Sequence, residues 1–252
     1  MLIDSHIHVG QYYQFYFSPT RISQLINDVG VDRYLVSSTT MCEENYPKVI
    51  DEITKLIELD GNKVLPMMWI TPEGLKGNIA WFLESAIKWR CLKIHPFLHP
   101  NDWNPKGEQF REVIDIAKEL DIPILIHTGT DECCVANKYE ELISNNPNVI
   151  FILAHGRPLT HTLLITQNYD NAYADSAFMP IEEINKFVCK NLSHKLLWGT
   201  DMCIPQYFFP KADMKTYYLN KLSAFKNICS PEEFNNVTFK NACKIFNINP
   251  NS

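Results

Sequence analysis

Apolar and polar positions along this chain follow a regular rhythm. Eight short runs of β-branched and aliphatic residues occupy positions 2–8, 33–38, 64–70, 91–95, 122–127, 149–155, 172–176 and 196–200. Each is nearly continuous in apolar character, as a parallel strand buried on both faces requires. The stretches between them carry helical spacing. Pro19 falls in the first turn of one helix, whose stripe is Ile22, Leu25, Ile26 and Val29, and Gly30 follows as a stop. Phe110, Val113, Ile114, Ala117 and Leu120 share one face of a second helix. Pro180 starts a third over residues 181–191, and residues 231–246 read as a closing helix or helix pair.

Strands alternating with helices in this way predict an α/β protein, a (β/α)8 TIM barrel. The structural alternative, an open doubly wound sheet, wants a glycine-rich first turn. Val9-Gly10-Gln11-Tyr12-Tyr13 does not supply that phosphate cradle. No internal repeat beyond the strand–helix unit, low-complexity tract or linker interrupts the pattern, so residues 1–252 read as a single domain.

Composition narrows the function classes. The chain is 46% hydrophobic and 21% charged, and 23 basic residues stand against 29 acidic ones for a net charge of −6. With no basic cluster, an electrostatic footprint for nucleic acid is not expected. No stretch approaches the roughly 20 apolar residues that span a bilayer, so no membrane partner is expected. The first strand begins almost at Met1 with no basic leader, which predicts a cytoplasmic protein. In that setting the eight cysteines, adjacent Cys133 and Cys134 among them, read as reduced thiols.

Four of the strands stop at residues that ligate metals. The first carries His6-Ile7-His8, the fifth ends at His127, the sixth at His155, and the eighth runs Leu196-Leu-Trp-Gly-Thr-Asp201. Residues i and i+2 of a strand project to one face, so His6 and His8 stand side by side. A barrel gathers the C-terminal ends of its strands around one mouth. Imidazoles and a carboxylate gathered there suit zinc and similar ions. His99, His161 and His194 have no strand-end placement and are read as surface or helix residues.

These residues also carry a family resemblance. Ile3-Asp4-Ser5-His6-Ile7-His8, Leu92-Lys93-Ile94-His95-Pro96, Ile126-His127-Thr128-Gly129, Ala154-His155-Gly156, Trp198-Gly199-Thr200-Asp201 and Asn241-Ala242-Cys243-Lys244-Ile245-Phe246 resemble, in order, the amidohydrolase superfamily. The similarity is to its amidohydrolase 2 branch, which contains 2-amino-3-carboxymuconate-semialdehyde decarboxylase. The resemblance implies that His6, His8, His127 and Asp201 hold a divalent metal, zinc first and manganese as the alternative. It makes Asp201 a general base as well, and it places His155 beside the metal to polarise a carbonyl or move a proton.

The expected activity is metal-dependent hydrolysis of an ester, lactone or amide of a small organic acid by metal-activated water. A non-oxidative decarboxylase or hydratase on the same scaffold is the alternative. Lys93 and His95 share a strand face and are candidate substrate contacts, with Lys93 alternatively a carbamylated bridge between two metals. Arg157, after Gly156, is either a carboxylate anchor or the partner of a rim acid. The aromatic loop 11–17 after the first strand, with Trp103 after the fourth and Tyr207-Phe208-Phe209 after the eighth, is either a lid over the substrate or packing, including a homodimer contact.

Overall fold

The computed structural model describes residues 1–77, 79 and 83–249. The sheet among them has nine strands, with the short β2 (Phe15–Phe17) at one edge beside the first strand and the others following in chain order. Eight of these strands are parallel: β1 (Ile3–Tyr12), β3 (Arg33–Ser38), β4 (Val64–Trp69), β5 (Cys91–Ile94), β6 (Ile124–His127), β7 (Phe151–Ala154), β8 (Ala172–Asp175) and β9 (Leu196–Leu197). Each falls within or overlaps a run expected from the sequence. The sheet closes on itself: Ser5 N donates to Trp198 O at 2.8 Å, Asp201 N to His6 O at 2.8 Å, and Ile7 bridges Met202 in parallel. This is the expected barrel.

Alternation sorts every strand into an inner and an outer row. Leu35, Leu65, Met67, Cys91, Leu125, Ile152, Tyr173 and Leu197 fill the interior together with Ile3. Their neighbours Val36, Leu92, Ile126, Leu153 and Leu196 face the helices. On β1 the pairing with β3 shifts by one residue between Asp4 and Ile7. Such a bulge changes which face the following residues take. Ile3 therefore points inward below it, Ile7 and Val9 point outward above it, and His6 and His8 face the interior.

Among the described residues the α-helices are α1 (Pro19–Val29), α2 (Tyr46–Asp60), α3 (Pro72–Gly77), α4 (Glu108–Leu120), α5 (Glu140–Asn145), α6 (Leu159–Asn168), α7 (Ile181–Cys189), α8 (Pro205–Phe208), α9 (Met214–Ile228), α10 (Pro231–Asn235) and α11 (Asn241–Ile245). The ends of α1 follow its sequence signals. Ser18 caps it by accepting from Arg21 N, and Gly30 closes it at φ 73°. Leu120, expected on the buried stripe of α4, ends that helix and is exposed. The tail is one continuous stack, α10 and α11 joined through a π-helical turn over Asn236–Lys240. A capping box between Ser230 and Glu233 starts it.

One element was not expected. Residues 11–17 are not a loop: β1 runs on to Tyr12 and pairs antiparallel with β2 (Phe15–Phe17) in a hairpin. Gly10 makes its base feasible. At φ 99°, an added Cβ would lie 2.5 Å from Thr40 Oγ1 and 2.6 Å from Glu52 Oε2.

The floor of the barrel is sealed by α11 and the residues after it. Ala242, Ile245, Phe246 and Ile248 join the interior row of strand side chains. Asn241 Nδ2 donates to Ser193 O at 2.8 Å and Leu196 O at 2.7 Å, fixing that helix to β9. Phe246 is 2% exposed. Phe246→Ala should lower unfolding free energy by about 3–5 kcal/mol, the range for a buried Phe→Ala cavity. Urea denaturation checks this, and a loss under about 1 kcal/mol would mean that the floor is not part of the core.

Candidate metal centre

The strand ends deliver a buried cluster of bases to the mouth. His6 Nδ1–H donates to Asp175 Oδ2 at 2.8 Å, which leaves its Nε2 as a lone pair. His8 Nδ1 lies 3.1 Å from Ser37 Oγ and 3.4 Å from Ser37 O. The tautomer of His8 that donates Nδ1–H to Ser37 O presents Nε2 as a lone pair. Asp201 Oδ1 stands 2.9 Å from His8 Nε2 and 3.4 Å from His6 Nε2. Lys93 Nζ donates to both Nε2 atoms, at 2.9 Å and 3.0 Å.

That arrangement decides whether a cation fits. Two imidazole lone pairs and a carboxylate oxygen crowd one point in the protein interior. Acceptors at such spacing repel unless a cation lies among them. In this structure the Lys93 ammonium lies against the two imidazoles. His6, His8 and Asp201 form one of two groups of three whose ligand atoms lie within 4.8 Å of one another. Both histidines are held from behind by Asp175 or Ser37, as metal-ligating imidazoles require. The donor set suits a divalent metal.

His127 and His155 form a second layer. His155 Nδ1–H donates to Ala177 O at 3.1 Å, so its Nε2 is the acceptor for His127 Nδ1–H at 3.0 Å. His127 thereby keeps its own Nε2 as a lone pair. Among the described residues it belongs to neither group of three; His155 does, with His6 and Asp175. His95 stacks between His127 at 3.8 Å and Trp69 at 5.3 Å, and its buried Nδ1 has no hydrogen-bond partner. Lys93, placed by the sequence among substrate contacts, lies inside the donor cluster, 4.7 Å over the Trp69 ring. Arg157 N donates to Thr128 Oγ1 at 2.9 Å and its guanidinium to Phe178 O at 3.1 Å. Among the described residues no carboxylate pairs with it.

Asp175 was missed. Its Oδ1 accepts from His155 N at 2.9 Å and Ala177 N at 3.0 Å while Oδ2 takes the His6 proton. The signal existed, because Ala172-Tyr-Ala-Asp175 also ends an apolar strand at a carboxylate.

Aromatic rings line one side of the mouth. Tyr207 meets Tyr12 and Tyr13 at 5.2 Å each, and Phe208 at 5.2 Å; Phe178 continues the row to His155 at 6.2 Å. Trp103 is not among them. It is 1% exposed and packs on Phe110 at 5.6 Å between helix and sheet.

Burial dominates the electrostatics. It pushes His8 down to about 3, helped by Lys93, and His155 down to about 4. His95 and His127 fall well below the ordinary range for the same reason. Burial also brings Lys93 down to about 8. Burial alone would raise Asp201, but the His6 and His8 rings outweigh it and hold the carboxyl ionised.

These shifts fix a sign for stability. Below pH 6.5 the unfolded chain takes up protons on His8, His95, His127 and His155 that the folded chain refuses, so stability falls with pH. Asp4, raised to about 6 by burial, acts in the opposite direction below that value, but as one group against four. The thermal midpoint of chelator-treated protein should therefore drop from about pH 7 to about pH 4.5. A flat or rising midpoint would contradict a neutral histidine cluster.

Three solved structures of similar fold set this site in context. 4-Oxalomesaconate hydratase from Rhodopseudomonas palustris is 14% identical, with 98% of this chain and 96% of that one covered and a TM-score of 0.68. 5-Carboxyvanillate decarboxylase from Sphingomonas paucimobilis is 12% identical over 98% and 99%, with a TM-score of 0.69. Dihydroorotase from Saccharomyces cerevisiae is 14% identical over 100% and 85%, with a TM-score of 0.64. At 12–14% identity these three proteins share the barrel fold with this chain. No curated protein matches the chain. A family profile does, over residues 3–247, and on that match the chain belongs to the TatD related DNase family.

Proposed function

We propose that the chain is a metal-dependent hydrolase acting on an ester, lactone or amide of a small organic acid. The convergence of His6 Nε2, His8 Nε2 and Asp201 Oδ1, each imidazole held from behind, carries the reading. His6, His8 and Asp201 would hold the ion, with His127, outside that group of three, as the fourth ligand that the family resemblance implies; the donor types favour zinc, with manganese as the alternative. A bound divalent ion supplies Lewis acidity, which acidifies water and polarises a carbonyl or phosphoryl oxygen.

The remaining chemistry belongs to the chain's own side chains. Asp201, ionised at the focus, takes the proton of the attacking water and returns it to the leaving group. His155 holds His127 in the tautomer whose Nε2 faces away from their shared hydrogen bond, so its part is to position that imidazole. Arg157, with no carboxylate of its own among the described residues, anchors a substrate carboxylate. His95 forms the wall on the β5 side, while Lys93 extends from the same strand into the donor cluster.

The family name suggests a phosphodiester as the bond cleaved. A polynucleotide needs cations along its backbone. Here the net charge is −6 and the mouth carries Tyr12, Tyr13, Tyr207, Phe208 and Phe178, which supports a small molecule rather than nucleic acid. A decarboxylase or hydratase would use the same donors, and no residue here favours it over hydrolysis. No helix of the described residues is long and apolar enough to cross a membrane. Eight free cysteines support a reducing, cytoplasmic setting. Exposed Phe208 and Phe209 supply an apolar surface for a homodimer or a lid.

Elemental analysis of protein purified without chelator should find about one zinc or manganese per chain, lost in the His6→Ala/His8→Ala double variant. About two per chain would assign Lys93 as a carbamylated bridge, and none after metal supplementation would sink the reading. Hydrolysis of lactones and esters, run beside aromatic carboxylic acids and an oligonucleotide, then separates the substrate classes. Asp175→Asn should weaken metal binding about 10- to 100-fold, because the carboxylate behind His6 becomes a neutral amide. Calorimetric titration with zinc checks it, and wild-type affinity would remove Asp175 from the site's support.

A further inference from the structure

Helix α9 lays one face against the outer surface of β9. Tyr218 OH accepts from Trp198 Nε1 at 3.0 Å, and Phe225 stacks on the same indole at 5.6 Å. Lys221 lies between them along that face. Its stem is part-exposed, but its ammonium is carried inward, 5.6 Å over the Trp198 ring. There Nζ donates to Ser176 O at 2.6 Å and reaches Gly199 O at 3.5 Å. Bringing an ammonium inward costs desolvation that its hydrogen bonds and neighbouring charges must offset.

Those two carbonyls belong to the strand ends that build the metal centre. Ser176 follows Asp175 directly, and its Oγ donates to Gly199 O at 3.0 Å while accepting from Gly199 N at 3.1 Å. Gly199 lies under His6, where an added Cβ would come within 3.1 Å of His6 Cβ and 3.4 Å of Asp175 Cβ. Two residues later the chain reaches Asp201, whose N–H donates to His6 O at 2.8 Å. Lys221 thus holds two carbonyls, one directly after Asp175 and one two residues before Asp201.

We propose that Lys221 is a positioning residue of this centre. By tying the Ser176 and Gly199 carbonyls together it holds Asp175 and His6 in register with His8 and Asp201. The inference rests on the metal-dependent reading above. Asp4, Asp175 and Asp201 lie near enough to favour the ammonium, while burial brings its pKa down to about 8.

Charge and position predict opposite signs. A lysine acting only by its charge repels a divalent cation, so removing it would tighten metal binding. A lysine that positions the ligands makes binding weaker when it is lost. The experiment is zinc affinity by competition with a chromophoric chelator on the full chain, for wild type, Lys221→Met, Lys221→Gln and Lys221→Arg. Thermal midpoints of the metal-free forms are taken in parallel. Lys221→Met should bind zinc about 10- to 100-fold more weakly, as loss of a supporting partner does. The Gln and Arg variants, which still offer an N–H to the two carbonyls, should stay close to wild type.

Equal or tighter binding by Lys221→Met overturns the proposal, as does a change of midpoint alone. If Lys221→Met does not fold, the Gln and Arg variants decide: native midpoints with lost affinity in both overturn it. Wild type that binds neither zinc nor manganese refutes the metal-dependent reading and this inference together. Wild-type binding that Lys221→Met leaves intact refutes only the role of Lys221.

Discussion

One buried carboxylate holds the mouth of this barrel together. Asp175 takes the His6 proton on one oxygen and the backbone N–H groups of His155 and Ala177 on the other, so it joins the tips of β1, β7 and β8. A carboxylate that deep is tolerable only with its lone pairs filled. Filling them fixes the tautomer of His6 and aims its Nε2 into the interior. The ligand orientation therefore follows from satisfying a buried charge, whatever cation the site holds.

The bulge in β1 acts one level below. Without the one-residue shift between Asp4 and Ile7, alternation from Ile3 would put His6 and His8 among the outer residues that pack on the helices. With it, Ile3 helps fill the barrel floor and both histidines reach the mouth. The architecture was legible in the sequence because a parallel strand buried on both faces writes itself as an apolar run. The ligand types were legible because four of these runs end at, or lead directly into, a histidine or an aspartate. The bulge was not, since backbone register leaves no mark in residue type.

What stayed hidden has the same origin. Asp175 has the strand-end signal of Asp201, but its role depends on which ring it meets across the barrel. Lys221 sits in an ordinary amphipathic helix, and only the depth of its ammonium separates it from a surface lysine. Trp103 looked like a mouth aromatic from its position after β5, yet the chain folds back and buries it against Phe110. Residues 11–17 looked like a loop because their aromatic run lacks a clear period. Pairing of Gly10–Tyr12 with Phe15–Phe17 makes them a strand turn instead.

The same burial sets how the site can accept a cation. Lys93 places its ammonium against the two Nε2 atoms that would ligate a metal, so a protonated Lys93 and a divalent ion cannot share that point. One must leave, or the lysine must lose its proton. Burial has already brought Lys93 down to about 8, which makes losing that proton far easier than for an exposed lysine. The histidines face no such competition with protons, because burial keeps them neutral well below neutral pH. Lys93 is thus the member of the cluster whose ammonium stands where a divalent ion would stand.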